Sequence, residues 1–269
     1  MNLFRIIKRW FQVPFHHRTL FWGFVSNEIK GRFAGSMGGF VWGLLTPLAN
    51  LIIYIFVFSL VLKIRLKPME TGTDSFAVYF LAGMLPWIAF SEALGNAADV
   101  FLSRANLITK VAFPLEILPI SGVIVPFFLN GLGFGMYLIY LGFMGYFHPS
   151  WLWLPVVISL HMVFTLGLVT LISRLSVFIR DVQQFMGTVI SLWFFLTPII
   201  YPMSMVPGKL RWVIKLNPMY PFVELYHQVL LFHDLPLPML GCAAGLAVFA
   251  FVGGVLFFAR SKHAFADVL

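Results

Sequence analysis

Six stretches of this chain run for close to twenty residues or more with almost no charge. They fall at roughly 39–62, 75–98 (with Glu92 near one end), 117–146, 151–173, 185–203 and 236–259. A bilayer core about 30 Å thick needs about 20 apolar residues as helix, at about 1.5 Å per residue. In hydrocarbon every backbone N–H and C=O must be paired within the protein, so a crossing segment is a helix or part of a closed barrel. Barrel strands would appear as alternating segments of about ten residues, and these runs are too long and too uniformly apolar for that. The expectation is therefore an all-α integral membrane protein with six transmembrane helices. An even count puts both termini on one side. The composition agrees: 60% of residues are hydrophobic and 10% charged, whereas a soluble domain carries about a quarter charged.

The charges that remain lie at the ends of the apolar runs. Lys and Arg outnumber Asp and Glu by 18 to 10, for a formal net charge of +8. This placement reads as membrane-orienting and lipid-headgroup-facing charge, and not as a nucleic-acid footprint. Arg5, Lys8, Arg9, Arg18, Lys30, Arg32, Arg104, Lys110, Arg174, Arg180, Arg260 and Lys262 fall on one side of a six-span topology. Lys63, Arg65, Lys67, Lys209, Arg211 and Lys215 fall on the other. The richer side is expected to be cytoplasmic, with both termini on it.

Residues 1–37 form a tail of a different character, separate from a single membrane domain over 38–269. Leu3, Ile6, Ile7 and Trp10 recur at helical spacing, with Arg5, Lys8 and Arg9 mostly off that face. Pro14 is expected to end this segment, and Leu20, Phe21, Phe24 and Val25 mark a second. Cationic aromatic helices of this kind lie in the membrane interface, as a passive anchor or as a docking site for a partner. No short apolar core with a small-residue cleavage site is visible, so the tail is expected to be retained. Gly31, Gly35, Gly39 and Gly43 recur every fourth residue. On a continuous helix they would line one face for close packing within the chain or against another subunit.

Several chemistries are excluded or disfavoured. The lone cysteine, Cys242, allows no internal disulfide or cysteine-based metal cluster; its small-residue surroundings suggest a buried packing position. There is no G-x-x-x-x-G-K-[ST] phosphate loop and no H-E-x-x-H, and the seven histidines are scattered. No charge occupies the middle third of any run, which disfavours a proton relay or ion pump. Aromatic residues make up 17% of the chain. Trp87, Phe90, Trp193, Phe194, Phe195 and Tyr201 are candidates to line a passage, because aromatic rings offer broad apolar faces and Tyr and Trp can also hydrogen-bond. Packing and interfacial anchoring are the competing reading.

The order of features after Arg180 is the most specific. Arg180-Asp181-Val182-Gln183-Gln184 opens an apolar run that breaks at Thr197-Pro198-Ile199-Ile200-Tyr201-Pro202. A mixed tail follows, with Leu216-Asn217-Pro218-Met219-Tyr220-Pro221 and Glu224-Leu225-Tyr226. Together with Asn27–Phe33, the Gly35–Trp42 bend, Leu45-Thr46-Pro47-Leu48 and Ala105–Glu116, this resembles the type-2 permease family of ATP-binding-cassette polysaccharide exporters, over nearly the whole chain.

The resemblance implies two cytoplasmic coupling loops, about 99–116 and 174–184. Arg104, Asn106, Leu107, Lys110, Phe113, Glu116, Arg180, Asp181 and Gln183 would there meet an ATPase subunit. It implies re-entrant helices between spans five and six, about 203–232, forming an outer gate around Asn217, Pro218, Tyr220, Glu224 and Tyr226. The implied assembly is two copies of the chain with two nucleotide-binding subunits, in a bacterial inner membrane. ATP and magnesium would be held by those subunits, and no cofactor by this chain. The implied cargo is an undecaprenyl-linked polysaccharide of O-antigen type, with capsular polysaccharide or teichoic acid next. A permease for a drug or small amphiphile is the alternative within transport. A membrane-embedded glycosyl- or acyltransferase is the alternative from another class; it would need convergent acids, and Glu92, Asp99 and Glu116 are the only clustered ones.

Overall fold

The computed structural model describes residues 3–110, 113–179 and 181–260, with the side chains of residues 3, 4, 106 and 109 excepted. Among these the repeating secondary structure is helical. Its α-helices are α1 (Leu3–His16), α2 (Arg18–Phe33), α3 (Trp42–Ile55), α4 (Pro68–Thr71), α5 (Phe76–Gly95), α6 (Asp99–Leu102), α7 (Ala105–Lys110), α8 (Ile117–Phe143), α9 (Leu154–Phe178), α10 (Val182–Leu196), α11 (Arg211–Lys215), α12 (Tyr220–His227) and α13 (Leu237–Arg260). Five segments are long and apolar enough to cross a membrane: Gly39–Val61, Phe76–Gly95, Ile117–Phe143, Pro149–Phe178 and Leu237–Arg260. Each lies close to the corresponding charge-free run. The run expected at 185–203 forms α10, a shorter apolar helix of 15 residues. Thr197, extended at ψ 133, ends it just ahead of Pro198, because a residue before proline is driven out of the helical region.

Local chemistry sets the boundaries. The Ser75 side chain accepts the Val78 N–H at the start of α5, and Gly72 closes α4 in the left-handed conformation (φ 72°). Gly145, at φ 85°, turns the chain after α8. Pro14 does not end the first tail helix, contrary to expectation; α1 continues to His16, and the bend falls at His17 (φ −110°, ψ 40°). A proline removes one bond to the preceding turn, yet the following N–H of His17 still reaches the Val13 carbonyl at 3.0 Å.

The glycine series is likewise not a helical face. Gly35 and Gly39 sit at φ 81° and 49° in the bend between α2 and the first span. Here glycine serves a left-handed turn, not helix packing. Cys242 is exposed on α13, not buried as expected. The small residues around it leave room, but the buried stripe of that helix runs through Ala243, Ala247, Phe251 and Gly254.

The core is built on α5, α8, α9 and α13. The α9–α13 crossing is closest at Gly167 and Gly254. A Cβ on Gly167 would lie 2.2 Å from the Ala250 carbonyl carbon, and one on Gly254 would lie 2.3 Å from the Gly167 oxygen. The first span behaves oppositely: almost none of it is buried within the chain, whereas most of α5 is. The tail packs onto this core by its apolar face. Trp10 meets Phe258 and Phe251 of α13 edge-on at 5.3 and 6.2 Å, while Phe21 and Val25 are the buried residues of α2.

Candidate coupling end and outer segment

The loops sort to the two ends of the bundle. At one end lie the tail, α6, α7 and the α9–α10 turn, held together by polar contacts. Gln183 Nε2 donates to Asp99 Oδ2 at 2.8 Å, and the Ser176 hydroxyl donates to the Ala98 carbonyl at 2.7 Å. The two expected coupling loops therefore touch each other. Two ion pairs tie the tail to the first of them, Arg9 with Glu116 at 2.9 Å and Arg104 with Glu28 at 3.3 Å, and a third, Arg32 with Glu92, ties it to the end of α5. Phe24 stacks on Phe113 at 5.7 Å. Leu107 and Lys110 of α7 are exposed, so that short helix presents an open face beyond the bundle.

The Asp181 side chain makes no capping bond to α10, although its carbonyl accepts from Phe185 at 3.2 Å. Arg180 and the side chain of Asn106 lie outside the described residues. Arg174, which the sequence suggests as a boundary charge, is fully buried, its guanidinium over the Phe178 and Phe258 rings at 5.7 and 5.5 Å.

The contacts of the tail with α5 and with the loop after it have no counterpart in the sequence reading. Glu28 and Arg32 carried a usable signal, since residues four apart share a helix face. That face of α2 meets Arg104 on one turn and Glu92 on the next.

At the other end, residues 63–75, 143–153 and 197–235 close over the bundle. Thr73 Oγ1 and the Tyr146 hydroxyl are 2.6 Å apart, and Ser150 Oγ donates to the Val229 carbonyl at 2.8 Å. A Ser204 hydrogen bond and then the Lys67 ammonium hold the exposed Glu70 carboxyl below its usual range.

Asn217 organises the expected gate. Its Oδ1 accepts from Trp193 Nε1 at 2.6 Å and from the Met219 N–H at 2.9 Å. Its Nδ2 donates to the Leu196 carbonyl at 3.1 Å and to Thr197 Oγ1 at 2.9 Å. Two donors facing one atom and two acceptors facing the other leave a single amide orientation. One side chain thus fastens the end of α10 to the start of α12. Pro218 and Tyr220 follow directly, and the Tyr220 N–H donates to the Asn217 carbonyl at 3.0 Å. Glu224 Oε1 accepts from Gln228 at 2.8 Å.

Helix α12 packs against α5, α9 and α13, with Phe222, Val223, Leu225, Tyr226 and His227 buried. The Tyr226 hydroxyl lies 3.4 Å from His161 Nδ1, inside a cluster with Phe222 and Phe90. The His227 ring stacks on Tyr79 at 4.0 Å, and its Nε2 lies 3.1 Å from the Tyr79 carbonyl, to which it must donate. Gly83 allows this approach, since a Cβ there would sit 3.1 Å from both His227 Nε2 and Val223 Cγ1. Neither Gly83 nor the two histidines stood out in the sequence, because an apolar run does not reveal which of its residues meets a distant helix. Gly83→Val is expected to lift α12 from α5 at a cost of about 1–3 kcal/mol, read as new protease cleavage within residues 203–232.

The aromatic candidates divide. Trp87 and Phe90 are buried inside the chain, where Phe90 meets Trp193 edge-on at 5.3 Å. Trp193 and Phe194 are partly buried, and the Tyr201 hydroxyl donates to the Phe195 carbonyl at 2.9 Å. Phe195 is exposed. The structure therefore brings Trp87, Phe90, Trp193 and Phe194 into one packed group and leaves Phe195 on the open face of α10.

Among the described residues no group of three or more His, Cys, Asp or Glu side chains is placed to hold a metal ion. The similarities of the chain agree with a membrane protein of several apolar crossings. The O-antigen export system permease protein RfbA of Myxococcus xanthus is 30% identical over 267 residues, covering 97% of this chain and 98% of that protein. Two proteins of the same name from Klebsiella pneumoniae are 28% and 27% identical over 250 residues, covering 91% of this chain and 92% of each. Residues 19–231, from α2 through α12, match the ABC-2 type transporter family, and this multi-pass membrane chain belongs to that family.

Proposed function

We propose that this chain is the permease subunit of an ATP-driven exporter that moves a lipid-linked, O-antigen-like polysaccharide outward across a bacterial inner membrane. The observation that carries this reading is the end-to-end similarity to O-antigen export permeases, over 97% of this chain and 98% of the Myxococcus xanthus protein. Two copies would work with two nucleotide-binding subunits, which hold the ATP and magnesium and do the hydrolysis. The chain crosses six times, with α10 and the coil after it as the fifth crossing, and both termini are cytoplasmic.

The described contacts suggest how work is passed on. Closure of the ATPase subunits pushes on α7, around Arg104, Asn106, Leu107, Lys110 and Phe113, and on the Arg180-Asp181 turn. The Asp99–Gln183 bond makes the two loops move together. The pairs to Glu28, Arg32 and Arg9 carry that movement into the tail, and through Trp10 into α13. At the far end, residues 203–232 act as a re-entrant gate that opens when the Asn217 junction and α12 shift. The exposed faces of the first span and of α10, with Phe195, border the path shared with the second copy. There the glycan slides over aromatic faces without a fixed charge to hold it.

The test is purification of the tagged chain from its own host in mild detergent, followed by mass spectrometry and an ATPase assay. A stoichiometric partner carrying a phosphate-binding loop, with ATPase activity, is the expected result. Recovery of the chain alone under several conditions would overturn the reading. A finer check is the double-mutant cycle of Glu28→Gln and Arg104→Gln. The pair is expected to couple by about 1 kcal/mol, roughly fivefold in transport-coupled ATPase rate; additive effects would show that the tail does not transmit.

A further inference from the structure

At the coupling end, a cleft of about 660 Å³ opens between the Gly35–Trp42 bend, the first turns of α3, the end of α5 and the middle of α8. Its polar floor is one network. Arg32 is paired with one oxygen of Glu92, whose other oxygen accepts from Asn130 Nδ2 at 2.6 Å. The same Nδ2 donates to the Pro126 carbonyl at 2.9 Å. With Nδ2 committed twice, the Asn130 Oδ1 remains as an acceptor, and Arg32 and Glu92, which line the same opening, keep hydrogen-bonding capacity beyond their pair. Its walls are apolar and aromatic: Phe33, Pro47 and the half-exposed Trp42. The indole is seated by Gly38, where a Cβ would come within 2.6 Å of Trp42 Nε1.

We propose that this cleft is a sugar-binding subsite that takes a pyranose residue of the exported glycan. The inference rests on the export reading above and names where that cargo is first held. The site carries one positive and one negative charge, already paired, so it has no excess charge for a phosphate. A phosphate would also place acceptor-only oxygens beside the Glu92 carboxylate. A sugar hydroxyl both donates and accepts, which suits a floor offering a carboxylate, an amide oxygen and guanidinium N–H groups together. The C–H face of the ring has the Trp42 indole to lie against, an arrangement in which an aromatic ring adds attraction beyond area alone. The polar network connects α2, α5 and α8, so occupancy bears on the same Arg32–Glu92 pair that links the tail to the bundle.

The experiment uses the full chain with its ATPase partner in nanodiscs. The probe is the host's own surface polysaccharide, released from lipid by mild acid and fluorescently labelled. Trp42→Ala and Asn130→Ala are each expected to weaken binding about tenfold, the equivalent of about 1.4 kcal/mol. Gly38→Ala displaces only the indole and is expected to weaken binding in the same direction. Trp42→Phe keeps a ring and is expected to stay within a few-fold of wild type. Unlabelled polysaccharide should compete, and millimolar pyrophosphate or glycerophosphoethanolamine should not. If wild type binds the glycan and all four variants bind equally well, the subsite is overturned while the export reading stands. Competition by pyrophosphate or the lipid headgroup overturns a sugar site in favour of a headgroup site. If wild type binds no glycan and its ATPase rate does not respond to it, the export reading itself fails.

Discussion

Gly167→Ala is expected to unlock the α9–α13 pair and to be the most damaging alanine substitution among the described glycines of this chain. The new Cβ would meet the Ala250 carbonyl carbon at 2.2 Å and the Phe251 nitrogen at 2.4 Å. Both are backbone atoms of a helix, so no rotamer change relieves the contact; the helices must separate. Overpacking a core costs about 1–3 kcal/mol, and a backbone obstacle belongs at the top of that range. At about 3 °C per kcal/mol for a chain of this size, the thermal midpoint in detergent should fall by about 10 °C. Gly254→Ala should behave alike, since its Cβ would meet the Gly167 oxygen at 2.3 Å. The neighbouring Gly253→Ala meets nothing within 4 Å and should be neutral or slightly stabilising, because alanine favours the helix by about 1 kcal/mol over glycine. Equal melting of Gly253→Ala and Gly254→Ala would show that the crossing is not as close as described.

The second large effect is expected at Asn217. Asn217→Ala removes four hydrogen bonds at once and leaves Trp193 Nε1 and the Met219 N–H without their acceptor. A buried donor left unsatisfied costs about 1–3 kcal/mol, so the junction should lose about 3 kcal/mol. The loss is local: residues 203–217 should become protease-sensitive while the α9–α13 pair keeps its melting point. Asn217→Asp tests the assigned orientation. It preserves an acceptor for Trp193 and Met219 but turns an oxygen toward the Leu196 carbonyl, and should be no better than alanine. If export and protease resistance were unchanged in both variants, the junction would have no part in the gate. Tyr220→Ala combined with Glu224→Ala, which leaves this junction in place, should alter export without dissociating the complex.

Hydrophobic run length by itself determined that the chain is a helical membrane protein, and it located five long apolar segments closely. The reason is physical: in hydrocarbon, span length and backbone pairing follow from composition without reference to any partner. The sequence also located the break after Thr197-Pro198, because proline acts locally. What it could not locate was approach. The Gly31–Gly43 series has the spacing of a packing face, yet two of its members make turns at positive φ. Gly167 and Gly254 have no comparable signal, yet they set the closest helix crossing. Cys242 sits among small residues and is exposed, whereas Arg174, at the end of an apolar run, is fully buried. In a uniformly apolar helix every face looks equally suitable, so only the tertiary packing decided which residues meet another helix. That packing also joined Glu28, Arg32 and Glu92 into one end and gave Asn217 its four partners.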